Sequence, residues 1–336
     1  MEDYETLEVE FGKVIGNPNT VAVSSGSAAL HLALEAFDRR GATVFVPEFT
    51  MVACPRAVVM ADMKPEFIDC RDDLLMDTRM LSEEAKRTPP GSIIMPVHIY
   101  GRYCNMVDVS WIAATRKMLV VEDMSEIHGV NPYPSTDAAC WSFYKNKIIH
   151  GEEGGMIAFK KPEHAARAKQ LRSHGFTEAH DFSHIPRGVN ARMSNAHAAL
   201  ILKSLRDLEY HLEKRQYLAE EYRRNLPPSW DMGTRRVDWV HDIRIPNLEF
   251  SQQNAIIQLL RERGVEARHG FKPMSTQAEF NDDRRIGSYT HLNAYRLASE
   301  VIYLPISDTM TEMEAKENSK RLIEAVLEVA PPLAAA

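Results

Sequence analysis

Short apolar runs alternate with helical patterns through the first half of this 336-residue chain. Each run is bounded by polar or turn residues, as expected of strands that are buried on both faces. Residues 27–40, between the first two runs, place their apolar side chains on one helix face, and Gly41 ends the pattern. A repeated strand–helix–strand order predicts an α/β fold, with a mostly parallel sheet flanked by helices. The predicted strands cover residues 20–24, 43–46, 66–69, 92–97, 118–122 and 138–143.

The pattern changes after residue 159. Residues 193–224 form one highly charged stretch with leucines at helical spacing, and Pro227 and Pro228 stop it. We therefore predict a long linking helix at this position. We place that helix at the end of a large domain that comprises residues 1–225.

A smaller C-terminal α+β domain is predicted for residues 226–330. Thr311 and Glu314 form a capping-box pattern, which predicts the start of a last helix. Residues 331–336 are expected to form a disordered tail. The other strand and helix patterns of this domain cover residues 241–245, 251–263 and 301–304.

Charge and composition exclude several classes of protein. A formal net charge of −7 is unlike that of a nucleic-acid-binding domain, which is usually strongly basic. The acidic N-terminal residues lack the apolar core of a signal peptide, and the apolar stretches are too short for a bilayer. We therefore expect a cytoplasmic protein that binds neither nucleic acid nor membranes. No metal site is expected, because the four cysteines lack zinc-site spacing and are predicted to be buried thiols: Cys54, Cys70, Cys104 and Cys140.

Chemically distinctive motifs follow the predicted strands, at the sheet edge where ligands bind in such folds. The first, S-S-G-S-A-A at residues 24–29, joins a strand to a helix. Small residues and the free N–H groups of a helix N-terminus suit a phosphate group. The same residues also suit a plain tight turn with Ser27 as N-cap, and the motif taken alone favours this simpler interpretation.

Two further motifs supply a carboxylate and an amine. V-V-E-D at residues 120–123 ends a strand in acids that could face a cationic ligand or cap the next helix. Lys145 and Lys147 follow the next strand, and each could be a surface lysine or an amine nucleophile in a cleft. A phosphate cradle, an acidic partner for a pyridine nitrogen and a nucleophilic lysine together point to a pyridoxal-phosphate enzyme.

With these motifs in order, the sequence resembles the DegT/DnrJ/EryC1 family of sugar aminotransferases, which have the fold type I aminotransferase architecture. The resemblance spans about residues 10–325 and also includes V-P-E-F-T-M-V-A, P-V-H-I-Y-G-R-Y-C-N-M, V-E-D-M-S-E-I-H-G, S-F-Y-K-N-K and G-V-N-A-R-M-S. In the C-terminal part, G-V-E-A-R-H-G-F-K-P-M-S-T-Q is similar to members that aminate C4 of nucleotide-linked 4-keto-6-deoxy sugars. The N-K form of the lysine motif is similar to that of perosamine synthases.

The resemblance implies a role for each matching residue. Lys147 matches the lysine that forms a Schiff base with pyridoxal 5'-phosphate, with Lys145 as its neighbour, and Asp123 matches the partner of the pyridine nitrogen. Asn190 matches a residue that reaches the phosphate in the other subunit, so a homodimer with shared active sites is implied. The other expected cofactor-binding residues are Gly26, Ser27, Ala28, Met51, Glu126 and Ser142. The expected substrate contacts are His98, Phe271 and Lys272.

The implied function is amino transfer from an amino acid, with L-glutamate expected, to a nucleotide-linked keto sugar, with pyridoxamine phosphate as the intermediate carrier. Two departures from the family pattern lie at the cofactor. Met51 replaces an aromatic residue that stacks on the ring, and Glu126 replaces Gln or His beside the ring hydroxyl. They leave open another ketone, another reaction of the same cofactor, or a non-catalytic regulator. His128 and His150 lie near these motifs and are left without a role.

Overall fold

A computed structural model of the chain describes residues 3–177, 182–280 and 292–334. Each of the six strands predicted for the first half overlaps a strand of the structure, so that prediction is confirmed. The strands are β1 (Thr20–Val23), β2 (Thr43–Pro47), β3 (Lys64–Ile68), β4 (Ile93–Ile94), β5 (Leu119–Asp123), β6 (Ala138–Ser142), β7 (Gly155–Phe159), β8 (His241–Arg244), β9 (Arg268–His269) and β10 (Val301–Leu304).

Helices follow most of these strands. The capping box predicted at Thr311 is present, with the Thr311 and Glu314 side chains each accepting a backbone N–H of the other residue. The helices are α1 (Asp3–Ile15), α2 (Gly26–Phe37), α3 (Ala53–Met60), α4 (Thr78–Arg87), α5 (Met106–Arg116), α6 (Pro162–Leu171), α7 (Asn195–Arg206), α8 (Leu208–Asn225), α9 (Phe250–Glu262), α10 (Leu292–Glu300), α11 (Glu312–Val329) and α12 (Pro331–Ala334).

The first seven strands form one sheet in the order β1-β7-β6-β5-β4-β2-β3. The pairs from β6 through β5, β4 and β2 to β3 are parallel, whereas β7 runs antiparallel to both β1 and β6. The sheet is therefore mostly parallel, as predicted. Because β7 returns directly beside β6, the loop of residues 143–154 that joins them lies at the carboxyl ends of the parallel strands. This loop contains Lys147.

Alternate residues of the central strands pack on opposite faces of this sheet. In β6, Cys140 lies in the core beneath α2, whereas Trp141 packs with α1 and α7. In β2, Val44 belongs to the α2 side and Phe45 to the core beneath α4 and α5. The period-two alternation of side chains explains why these strands are apolar throughout, because both of their faces are covered by helices.

The predicted single helix over residues 193–224 is wrong. The structure has two helices, α7 and α8, and the chain leaves helical geometry between them at Asp207, with φ −93° and ψ 12°. An aspartate competes for backbone hydrogen bonds and favours helix ends, so a polar, leucine-spaced sequence can be interrupted there without a proline or glycine.

A second sheet, in the order β8-β10-β9, is antiparallel and has its own apolar core. Helix α8 contributes Leu218 and Tyr222 to that core, beside α9 and α11. The division at residue 225 stays a prediction, since α8 belongs partly to the second core. The expected disorder of the tail is wrong for residues 331–334, which form α12 with Leu333 packed on the second core, while residues 335–336 lie outside the described residues.

A buried ion-pair cluster joins the second sheet to the large one. Asp242 of β8 lies 2.8 Å from Arg102 Nη2 and 2.8 Å from Arg235 Nε, and all three side chains are almost completely buried. Burial alone would raise the pKa of Asp242, but the two guanidinium groups outweigh it and hold the pKa well below its ordinary value. This cluster fixes the second sheet next to the loops at the strand ends.

The sequence predicted buried cysteines and no membrane-spanning segment. Within residues 3–177, 182–280 and 292–334, no helix combines the length and apolar character needed to cross a bilayer. The prediction of buried thiols is confirmed, since all four cysteines are buried and none forms a disulfide.

Candidate active site

The loops at the carboxyl ends of β1, β2, β4, β5 and β6 surround a cavity of about 470 Å³. This volume lies within the range of small-molecule sites, about 300–1,000 Å³. The second sheet and the segments beside it close the cavity from the other side with Trp239, Arg268, Phe271 and Tyr303. The site therefore forms where the topology of a parallel sheet places ligands, at the carboxyl ends of its strands.

The N-terminus of α2 forms one wall of the cavity. Ser25, not Ser27, is the N-cap, and its Oγ accepts the N–H of Ala28 at 3.1 Å. Gly26 packs so closely on β6 that a Cβ atom there would lie 2.6 Å from Cβ of Ser142. Because the first N–H groups of a helix have no partner within it, this tightly packed turn presents donors to an anion.

Asp123 lies at the last residue of β5 and is buried against the floor of the cavity. Its Oδ2 accepts the thiol of Cys54 at 3.2 Å, and its Oδ1 accepts the N–H of Ser125 at 3.0 Å. These two contacts fix the orientation of the carboxylate. Cys54 is thus a supporting residue that the sequence motifs did not indicate.

The two lysines of the β6–β7 loop differ in environment. Lys145 is exposed, whereas Lys147 is buried and lines the cavity. Nζ of Lys147 lies 3.7 Å from Oε1 of Glu126 and 3.7 Å from the centre of the Trp239 ring. The backbone of Lys147 is also held, since its N–H donates to Tyr144 O at 2.8 Å and its carbonyl accepts Arg215 Nη2 at 3.4 Å.

Burial shifts both members of the Lys147–Glu126 pair. It lowers the pKa of Lys147 below the ordinary value of 10.5, and the charges of Glu126 and Asp123 offset only part of this effect. Burial also raises the pKa of Glu126 to about 7, although Lys147 and the N–H of Tyr100, which Glu126 accepts at 2.8 Å, favour its ionised form. Both groups therefore exchange protons more easily near neutral pH than they would on the surface.

Most of the other predicted cofactor and substrate residues lie in the cavity. Ser27, Met51, Ser142 and Phe271 all line it, together with Gly26, Asp123, Glu126 and Lys147. Met51 is 51% exposed, so its thioether has room to lie against a flat ring.

His98 was expected to contact substrate, and the structure places it elsewhere. It is fully buried, its Nε2 lies 2.8 Å from Glu122 Oε2, and its Nδ1 accepts the N–H of Cys104 at 3.1 Å. Its ring also stacks on Tyr103, with 4.5 Å between the ring centres. Both ring nitrogens are occupied by protein partners, so His98 supports the fold beneath the site.

Three more predicted residues do not line this cavity. The N–H of Ala28 is already bonded to Ser25, and Lys272 is exposed outside the cavity. Asn190 is exposed as well, does not line the cavity, and forms an isolated antiparallel bridge with Ser173. The roles assigned to Lys272 and Asn190 stay predictions.

Sequence reasoning missed several lining residues that come from distant parts of the chain. Trp239 faces the Lys147 amine and donates Nε1–H to the carbonyl of Asn146 at 2.8 Å, while Arg268 and Tyr303 come from β9 and β10. None of them belongs to a motif at the end of a strand of the large sheet. Only the packing of the second sheet brings them to the site.

These residues fit pyridoxal phosphate. The N-terminus of α2 with Ser27 and Ser142 suits the phosphate, Asp123 suits a protonated ring nitrogen, and Lys147 is a buried amine in the same cavity. Gly26 is the required residue at the turn, because any side chain there would collide with β6. The arrangement can hold the cofactor and move protons beside it.

Comparisons with known proteins agree with this chemistry. The family model described as DegT/DnrJ/EryC1/StrS aminotransferase family matches residues 2–326. The chain is 31% identical to a GDP-perosamine synthase of Caulobacter vibrioides, across 80% of this chain and 76% of the relative. It is 28% identical to a dTDP-3-amino-3,4,6-trideoxy-alpha-D-glucose transaminase of Micromonospora megalomicea, across 98% of this chain and 90% of the relative.

The fold has counterparts among solved structures. The crystal structure of 3-amino-5-hydroxybenzoic acid synthase superimposes with a TM-score of 0.88 at 22% identity, covering 97% of this chain and 91% of that one. This likeness confirms the predicted fold type I architecture. The chain therefore belongs to the DegT/DnrJ/EryC1/StrS aminotransferase family and is a sugar aminotransferase that depends on pyridoxal phosphate.

Proposed function

We propose that this enzyme transfers the amino group of L-glutamate to the C4 keto group of a nucleotide-linked 4-keto-6-deoxy sugar. The observation that carries the proposal is the buried Lys147 amine beside Glu126, in one cavity with Asp123, in a chain similar to GDP-perosamine synthase. The small-domain motif at residues 264–277, noted in the sequence, supports the choice of C4.

Each residue of the cavity has a task in this proposal. Gly26, Ser27 and Ser142 would bind the phosphate of the cofactor, Asp123 its ring nitrogen, and Met51 one face of its ring. When bound, pyridoxal phosphate supplies a ring that withdraws electrons from the carbon next to the transferred nitrogen. Lys147 would hold the cofactor through its amine and, once that amine is free, would accept and return the proton of that carbon.

Burial supports the proton-transfer role of Lys147. Its lowered pKa increases the fraction of neutral amine at neutral pH, and only the neutral form can accept a proton. Glu126 lies 3.7 Å away and has a pKa of about 7, so it can hold or release a proton next to that amine. Asp123, fixed by Cys54 and Ser125, stabilises positive charge on the ring nitrogen.

The second sheet supplies the side of the cavity suited to the substrates. Arg268 is the cation there, with its guanidinium bonded to Glu266 and exposed to solvent, and it would attract a carboxylate or a diphosphate. Phe271 and Tyr303 add aromatic surface for a sugar or base. A small amino acid and a sugar nucleotide could thus use the same opening in turn.

The proposal is tested by measuring 2-oxoglutarate formed from L-glutamate by the purified holoenzyme. We expect continuous formation of 2-oxoglutarate with GDP- or dTDP-linked 4-keto-6-deoxy sugars. When the sugar nucleotide is omitted, we expect no more than one equivalent of 2-oxoglutarate per active site, because the cofactor then stays in its aminated form. The 3-keto-6-deoxy sugar nucleotide serves as the comparison substrate, because the Micromonospora relative is named for a 3-amino sugar. Turnover with the 3-keto sugar alone would contradict amination at C4, and turnover with neither sugar would contradict the sugar substrate.

We also propose that the enzyme is a homodimer with shared active sites. Asn190 is exposed and does not line the cavity of its own chain, which is compatible with a contact to the cofactor phosphate of a second subunit. This arrangement would complete the phosphate site with a residue from the partner.

A further inference from the structure

A group of potential metal ligands lies behind the lysine loop, outside the cofactor cavity. His150 follows Lys147 in that loop, His211 comes from α8, and Asp308 comes from the loop after β10. One ligand atom of each residue lies within 4.8 Å of the others. The three residues are far apart along the chain and match no ligand spacing, so this group could not be predicted from the sequence.

The two imidazoles converge on one carboxylate oxygen. Nε2 of His150 lies 3.5 Å and Nδ1 of His211 lies 3.1 Å from Oδ2 of Asp308. In a tetrahedral zinc site with bonds of about 2.0–2.1 Å, neighbouring ligand atoms are about 3.3 Å apart. The two distances therefore agree with the ligand spacing around a single ion.

His211 points into this group without a hydrogen bond. Its side chain is 9% exposed, and its approach to Asp308 misses hydrogen-bond geometry, so among the described residues its Nδ1 has no hydrogen-bond partner. Its other nitrogen, Nε2, lies 3.3 Å from Oγ of Ser204. A ring that donates from Nε2 to a hydroxyl keeps the lone pair of Nδ1 available, as in known sites where the second nitrogen is bonded to a neighbouring group.

Ser204 and Arg215 hold the ligands in position. Oγ of Ser204 accepts the backbone N–H of His150 at 3.1 Å, so it contacts both histidines. Nε of Arg215 lies 3.4 Å from Oδ1 of Asp308, the oxygen that does not face the imidazoles. The arginine thus forms an ion pair on the side of one carboxylate oxygen and leaves the other oxygen for an ion.

We propose that His150, His211 and Asp308 bind a divalent transition-metal ion, with Zn²⁺ as the best-matched ion. Two of the three ligands are imidazole nitrogens, which favour zinc and related ions, whereas Mg²⁺ and Ca²⁺ require mostly oxygen ligands. The positive charge of the adjacent Arg215 guanidinium disfavours ions such as Mg²⁺ and Ca²⁺, whose binding depends on negatively charged oxygen ligands. The His150 side chain is 37% exposed, so water can reach the fourth position.

A bound ion would connect the lysine loop to the second sheet. Arg215 already joins these segments, since its guanidinium donates to the carbonyls of Lys147, Trp239 and Ile306 at 3.4, 2.9 and 3.1 Å. Metal ligation at His150 and Asp308 would add a second connection between the same segments. The ion would thereby stabilise the folded protein in proportion to its occupancy.

The test uses chelator-treated, cofactor-loaded enzyme and ZnCl₂ as the probe. Calorimetric titration should show one zinc ion bound per chain, and the thermal unfolding midpoint should rise with zinc concentration. CoCl₂ should produce the visible absorption bands of four-coordinate cobalt. Because removing a supporting residue of a metal site already costs 10–100-fold in affinity, His150→Ala should weaken zinc binding by at least about 100-fold.

His150→Ala is the main variant because this side chain is partly exposed, and Asp308→Asn is a second variant that preserves shape. His184→Ala is the matched control, since His184 is an exposed histidine outside the group and should leave zinc binding unchanged. Binding of zinc that is equal in the wild type, His150→Ala and Asp308→Asn would show an adventitious site and overturn the proposal. The absence of zinc binding in the wild type would overturn it as well.

Discussion

Burial distinguishes Lys147 from Lys145, although the two lysines are chemically identical and two positions apart. Lys147 faces the ring of Trp239 and the carboxylate of Glu126, whereas Lys145 remains in solvent. A water-poor setting lowers the pKa of an amine, and this increases its reactivity at neutral pH. We therefore propose Lys147, and not Lys145, as the catalytic lysine.

Replacing Lys147 with alanine should abolish catalysis. We expect Lys147→Ala to reduce turnover by more than about 10³-fold and to remove the visible absorbance of the lysine-bound cofactor, because both depend on the amine. Lys145→Ala is the matched control and should retain wild-type turnover and absorbance. Wild-type turnover in Lys147→Ala would refute the assignment.

Glu126 should make the stability of the cofactor-free protein depend on pH. Its folded-state pKa of about 7 lies above the ordinary value of 4.5, so the folded protein holds this proton more tightly than the unfolded chain does. The resulting stabilisation is complete below pH 4.5 and is lost as the pH rises through about 7. Glu126→Gln removes the titrating group and should remove this decline.

The measurement is the free energy of unfolding in urea at a series of pH values between these limits. The wild type should lose stability relative to Glu126→Gln as the pH rises. Glu213→Gln alters an exposed carboxylate and should give a curve parallel to that of the wild type. Parallel curves for the wild type and Glu126→Gln would show that the pKa of Glu126 is not raised.

At the scale of elements, the N-terminus of α2 depends on its contact with β6. Gly26→Ala would place a Cβ atom 2.6 Å from Cβ of Ser142, and Ser142 is fixed in a central strand. The helix N-terminus must shift to relieve this overlap, so its N–H donors lose their alignment with the phosphate. We expect the dissociation constant of pyridoxal phosphate to increase at least about 10-fold, equivalent to about 1.4 kcal/mol.

The control for this variant is Gly233→Ala. Gly233 has φ +81° and open space around its Cβ position, so an alanine there strains the backbone without a collision. It should destabilise the fold by about 1 kcal/mol and leave cofactor affinity unchanged. Equilibrium dialysis measures the affinity of both variants for pyridoxal phosphate. Equal affinity in Gly26→Ala and the wild type would show that the contact between Gly26 and β6 does not determine how tightly the cofactor binds.

In the assembled dimer, the proposed sharing of active sites can be tested by mixing two inactive variants. Mixing Lys147→Ala chains with Asn190→Ala chains should restore activity, because each mixed dimer then contains one site with both residues intact. With random pairing, half of the dimers are mixed, so about a quarter of the wild-type sites recover. Activity after joint refolding, with each variant alone as reference, provides the measurement.

Lys147→Ala mixed with Asp123→Asn is the matched control. These two residues line the cavity of the same chain, so no mixed dimer gains an intact site. If the Asn190 mixture recovers no more activity than this control, Asn190 does not act across a subunit interface. Full activity of Asn190→Ala on its own would also contradict the proposal.

The strand-end motifs were found from sequence because their signals are local. Each motif predicts structure only within a few residues of itself, as do the apolar runs, the small residues at 24–29 and the carboxylate at the end of β5. The topology of a parallel sheet then brings the strand ends together. The same local patterns failed at Asp207, where one charged stretch divides into two helices. Leucine spacing alone does not show where a helix is interrupted.

The amino-acid sequence was sufficient to predict the α/β sheet, the sheet edge that carries the candidate site, and the residue types that suit pyridoxal phosphate. This was possible because strand and helix periodicity and the direction of parallel strands follow from short-range geometry. The three-dimensional structure was needed to show that Lys147 is the buried lysine, that His98 pairs with Glu122, and that Trp239 faces the amine. Burial, distance and pKa depend on side chains brought together from distant parts of the chain, and no local pattern contains that information.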